Sequence, residues 1–194
     1  MRASAPFSPP RRKPRAPSRS AVRRPSQALL RHYLPDLVYG ANDGIVTTFA
    51  VVAGVTGASL SSRVILILGF ANLIADGVSM GASNYLSRRS DAETFEDPGR
   101  REPARHGTAT LLGFVSAGLV PLAAYLLPLP ADARFPATIA LTLASLFLVG
   151  ASRSLLTRAR FLRSGLEMLL VGSLAAGVAF GIGALVAGIT AGSA

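Results

Sequence analysis

The chain has no cysteine and no tryptophan, and only two histidines and three methionines in 194 residues. Without cysteine, disulfides, thiolate zinc sites and thiol nucleophiles are excluded, and the redox compartment leaves no trace. His32 and His106 are far apart in sequence, so no common zinc constellation or histidine triad can be built from near neighbours. Charge is scarce as well: 15% of residues are charged against 50% hydrophobic, and the mean hydropathy is +0.44. That balance is too apolar for a soluble domain of this length, and the bilayer is the expected solvent. The chain holds no nucleotide-binding motif, which argues against an ATP-driven pump, and no credible catalytic set, so an enzyme is not expected.

What charge there is has one sign and one place. The net charge is +10, and Arg2, Arg11, Arg12, Lys13, Arg15, Arg19, Arg23 and Arg24 all precede residue 27, with no acid among them. The rest of the chain is nearly balanced, with 12 basic and 10 acidic residues. Residues 1–33, rich in Pro, Arg and Ser at their start, are expected to form a disordered basic tail. The tail has neither the apolar core of a secretory signal nor the amphipathic period of a transit peptide. A cytoplasmic tail rather than a nucleic-acid-binding arm is expected.

Residues 34–194 are expected to form one transmembrane domain. Five apolar stretches, each near the roughly 20 residues needed to cross the hydrocarbon core, predict spans over about 37–62, 64–87, 107–131, 135–156 and 164–191. The fourth ends near Ser152 unless Arg153 snorkels. Placing the N-terminus inside puts 18 of the 20 basic residues on the cytoplasmic side and leaves Arg63 and Arg134 outside. The predicted fold is therefore an all-α membrane protein of five transmembrane helices with a cytoplasmic N-terminus and a non-cytoplasmic C-terminus. Gly40 and Gly44, Gly77 and Gly81, and Gly177 and Gly181 stand at helix-packing spacing. So few helices make a thin bundle, and a homodimer is expected to complete the pore. The Arg- and Ala-rich composition points to a bacterial plasma membrane.

A carboxylate in hydrocarbon costs a few kcal/mol or more, so it faces a cavity or a partner. Asp43 lies about 9 Å along the first span and Met80 about 10 Å from the same end of the antiparallel second span, at matching depth. Asp76 is one turn deeper on the face of Met80 and Asn72, and Asp36 shares the face of Asp43 at the cytoplasmic mouth. The four candidate metal ligands are thus Asp36, Asp43, Asp76 and Met80. Oxygen ligands with one thioether suit Fe²⁺, with Mn²⁺, Co²⁺ or Zn²⁺ as company. On the residues alone, Met80 reads more readily as filler than as a ligand. Glu167 reads as a first-turn carboxylate paired to a nearby arginine. The acids between Ser87 and His106, mixed with five arginines, read as a solvated loop.

The run from Asp36 to Gly57 (DLVYGANDGIVTTFAVVAGVTG), the run from Leu68 to Tyr85 (LGFANLIADGVSMGASNY) and RSGLEMLLVG from Arg163 to Gly172 together resemble the vacuolar iron transporter family, which includes nodulin-like and yeast vacuolar iron and manganese carriers. The resemblance extends from Leu34 to the C-terminus. It implies a homodimer with the ion path along the dimer interface, lined by the first two helices, and export of Fe²⁺ and also Mn²⁺ from the cytosol in exchange for protons. It places a metal-binding aspartate on Asp43 and a metal-binding methionine on Met80. Plant-type members carry a glutamate-rich insertion between the second and third helices, and this chain has about twenty residues there. It also has Asn84 where they tend to have glutamate. The expected partners are the metal ion, protons, the lipid bilayer and a second copy; no resident cofactor is expected. The competing reading is a membrane scaffold that packs against a partner and transports nothing.

Overall fold

The computed structural model describes residues 25–95, 102–155 and 160–192, so most of the basic tail lies outside the described residues. The chain forms α1 (Pro25–Gly57), α2 (Ser62–Phe95), α3 (Pro103–Leu126), α4 (Ala131–Ser152), a 3₁₀ turn at Arg153–Leu155, and α5 (Phe161–Ala191). All five α-helices are long and apolar enough to cross a membrane. In a solvent without hydrogen-bond partners a spanning chain has to satisfy its backbone internally, which a helix does. The expectation of an all-α membrane fold with five spans holds in this form.

The two largest departures from the predicted boundaries are both at the basic end. α1 begins at Pro25, so residues 25–33 are helical rather than part of a disordered tail. α2 runs to Phe95, through the stretch expected to be a loop. Hydropathy marks where the bilayer stops, whereas a helix continues as long as local pairs support it. Here Arg89 Nε reaches Glu93 Oε1 at 2.8 Å, one turn on, and the Thr94 hydroxyl donates to the Ser90 carbonyl at 2.8 Å. At the opposite end α1 turns sharply into α2. Ser59 there takes a left-handed φ of 56° while the Leu60 amide donates to the Val55 carbonyl and the Ser59 amide to that of Thr56, a Schellman helix stop.

α1 is the centre of the bundle and touches all four other α-helices, most extensively α3. Glycine makes that contact possible. A Cβ on Gly40 would stand 2.2 Å from the Thr110 carbonyl oxygen, and one on Gly113 would stand 2.3 Å from that of Leu37. Gly44 and Gly118 continue the seam, and Gly183 of α5 lies as tightly on the Gly54 carbonyl. Gly81 and Gly107 join α2 to α3 in the same manner. Gly177 and Gly181 do not follow the expectation: a Cβ on either meets nothing within 4 Å, because that face of α5 points away from the bundle. The apolar core gathers Val52, Val55, Ile65, Leu73, Phe114, Leu122 and Tyr125 between α1, α2 and α3. Most of α5 is exposed apolar surface, including Leu170 and Leu174, as expected of a helix whose solvent is lipid.

Candidate metal site and its polar cluster

Asp43 on α1 and Asp76 on α2 are near enough for their charges to act on one another. Each is partly buried, and the charged neighbour that acts on Asp43 is another acid, Asp76. Helical spacing puts Asp76 on the α2 stripe shared by Asn72 and Met80. Met80 is half-buried and packs against the apolar core cluster that contains Phe114. Asp76 and Met80 stand one turn apart on α2, and carboxylates with a thioether are donor types that a divalent transition ion accepts.

Asp36 is placed differently from the open entrance expected of it. It is 5% exposed, and both of its oxygens are engaged. His106 Nδ1 lies 2.6 Å from Oδ2, while Asn84 Nδ2 donates to Oδ1 at 2.9 Å and Arg88 to the same oxygen at 3.3 Å. Asn84 Nδ2 also lies 2.6 Å from the Thr110 hydroxyl oxygen, which in turn donates to the His106 carbonyl at 3.1 Å. Above this cluster the rings of His32 and Tyr33 pack on His106 with centroids 4.9 Å away, and the Tyr33 hydroxyl donates to Glu102. That bond, then Arg105 and His32, hold the Glu102 carboxyl below its ordinary value against a smaller opposing effect of burial.

Sequence reasoning did not bring Asn84, His106 and Thr110 together with Asp36. They come from three helices, and only their position at one end of antiparallel spans hints at it. Asn42 Oδ1, beside Asp43 in the chain, is buried without a hydrogen-bond partner, as are the hydroxyls of Thr48 and Thr142; nothing in the fold explains the three. Glu167 pairs with Arg163 at 3.0 Å, in keeping with its ordinary reading. Among the described residues, no three His, Asp or Glu side chains converge as a metal cage.

Five spanning helices around a pair of facing acids define a multi-pass integral membrane protein with a polar site inside the bundle. The model of the VIT family matches residues 34–105 and 96–184, and the chain belongs to that family. Vacuolar iron transporter 1 of Eucalyptus grandis is 24% identical over 208 aligned positions, covering 76% of this chain and 84% of the relative. Vacuolar iron transporter 1 of Arabidopsis thaliana is 22% identical over 84% of this chain and 94% of its own length. The vacuolar iron transporter of Toxoplasma gondii is 44% identical over 70 residues, which are 36% of this chain and 23% of the relative. An alignment of 208 positions that takes in 76% of 194 residues leaves part of the plant protein without a counterpart here. The family match also breaks between α2 and α3, where an insertion is expected to be missing. The relatives named here are eukaryotic and called vacuolar, so the expectation of a bacterial plasma membrane is not borne out.

Proposed function

We propose that this chain carries divalent iron across its membrane, out of the cytosol, through a site built by Asp43, Asp76 and Met80. The observation that carries the reading is two partly buried acids, Asp43 on α1 and Asp76 on α2, near enough for their charges to act on one another; the names of the relatives supply the metal. Carboxylates bind the hard character of the ion, and the Met80 sulfur adds affinity for Fe²⁺ over purely oxygen-loving ions, with Mn²⁺ as a second substrate. Metal binding requires deprotonated ligands, so protons and metal compete for one site, and that competition is the physical basis of metal–proton antiport. The N-terminus is cytoplasmic and the C-terminus is not, because the basic residues gather where α1 starts. A second copy completes the path along the exposed side of α1 and α2. Asp36 is not part of the ligand set, since its oxygens are already engaged.

Initial Fe²⁺ and Mn²⁺ flux into proteoliposomes tests the proposal. Asp43→Asn keeps the shape of the side chain and removes the charge that offsets the ion's desolvation, so flux of both metals should fall to the protein-free background. Wild-type flux in correctly inserted Asp43→Asn would leave the scaffold reading as the better account.

A further inference from the structure

Asp36 is the buried acid that the proposed metal site does not use, and its partners show what it does. They are spread over two other helices: Asn84 and Arg88 on α2, His106 on α3, and Thr110 of α3 through Asn84. A buried carboxylate in a low-dielectric interior needs its donors, and donors fixed on other helices define where those helices stand.

The pairing has a register. α1 and α2 run antiparallel, and Asp36 bonds to Asn84, while Asp43, seven residues further along α1, lies within electrostatic reach of Asp76, eight residues earlier on α2. Clasp and acid pair are thus separated by about 10–12 Å on both helices. α1 and α2 share little contact of their own compared with what each makes to α3. The apolar core tolerates sliding far better than a directional bond does. Below the clasp, Gly81 and Gly107 bring α2 and α3 together, with a Cβ on Gly107 standing 2.5 Å from the Gly81 carbonyl oxygen.

We propose that Asp36 is a positioning residue: through Asn84, Arg88 and His106 it sets the register of α1 against α2, and thereby the gap between Asp43 and Asp76. The inference rests on the metal reading above. It also accounts for an amide at position 84. A glutamate there would face Asp36 acid to acid, whereas Asn84 donates to Asp36 and to Thr110 together.

The chain is free of cysteine, so Tyr39→Cys on α1 and Leu86→Cys on α2, both exposed, give one pair of spin labels whose separation reports the register without any metal. Mn²⁺ binding to the purified full chain reports the site. Asp36→Asn and Asn84→Ala should each shift or broaden the label separation and each raise the Mn²⁺ dissociation constant roughly tenfold or more. The double variant should be no worse than the worse single one, because one unit is broken once. The exchange Asp36→Asn with Asn84→Asp rebuilds an acid–amide bond across the same two helices, and it should return the separation and bring Mn²⁺ affinity within about threefold of wild type. It also serves where a single variant does not fold. Asp36→Asn losing metal while Asn84→Ala binds like wild type would make Asp36 a ligand and overturn the inference, as would a label separation unchanged in folded clasp variants or an exchange that restores nothing. If Asp43→Asn binds Mn²⁺ like wild type, the metal reading fails by itself, and the label separations still decide the register.

Discussion

Gly44→Ala adds a single methyl group to the seam between α1 and α3. The new Cβ would stand 2.2 Å from the Phe114 carbonyl oxygen and 2.9 Å from its carbon, where ordinary contact begins near 3.4 Å. Both sides are helix backbone, so no side chain can rotate away, and the seam is equally close at Gly118, where an added Cβ would stand 2.8 Å from the Gly44 carbonyl oxygen. The helices have to part by about 1 Å, and a radial gap of that size forfeits a quarter to a half of each dispersion well along the seam. Overpacking of this kind costs about 1–3 kcal/mol. At about 2–4 °C per kcal/mol for a chain of this size, the melting midpoint of the purified protein in detergent should drop by roughly 2–12 °C. Gly181→Ala is the matched control, because nothing lies within 4 Å of its Cβ, and its midpoint should stay within about 2 °C of wild type. A Gly44→Ala protein that melts with wild type, or a Gly181→Ala protein that falls as far, would refute the packing argument.

Met80→Leu keeps volume and apolar character and removes the sulfur, so Fe²⁺ flux in proteoliposomes should drop more than Mn²⁺ flux; equal losses would return Met80 to the role of filler. A reporter fused to the C-terminus should read as non-cytoplasmic and one inserted near residue 99 as cytoplasmic, and a cytoplasmic C-terminus would contradict the five-span topology. Tyr33→Phe removes the main influence that depresses the Glu102 carboxyl, so its carboxyl resonance should titrate at higher pH, and an unmoved titration would contradict the assignment. Because the folded value is depressed, that contact supports the fold above the unfolded carboxylate value near ~4.3 and is lost as pH falls through the folded value.

The number and kind of the helices were legible in composition, because a spanning helix is recorded residue by residue in its apolar run. Their ends at the basic side were not: Arg89 and Glu93 stabilise one more turn of α2 by a mechanism to which hydropathy is blind. The acid pair was half legible. Helical spacing placed Asp76 and Met80 on one stripe and Asp43 at a matching depth, and in the structure Asp43 and Asp76 are near enough for their charges to act on one another. The surroundings of Asp36 were illegible, since they depend on which three helices converge, and nothing local to Asp36 encodes His106, seventy residues away. The glycine pairs show the same limit. Spacing alone could not separate Gly40 and Gly44, which meet backbone, from Gly177 and Gly181, which meet nothing.

The central place of α1 sets an order problem during synthesis. It is made before the other four described helices and, of the five spanning stretches, is the least apolar, yet it carries a buried acid, Asp36, whose partners lie later in the chain. Asn84 and His106 follow Asp36 by 48 and 70 residues. At about 5–20 residues per second, roughly 3–14 s separate the synthesis of Asp36 from that of His106. Through that interval α1 depends on its water-facing end and on the arginines that precede it, which resist translocation. The bonds that hold Asp36 in the finished protein therefore give no help to its insertion, and the basic run at the start of the chain acts while they are still missing.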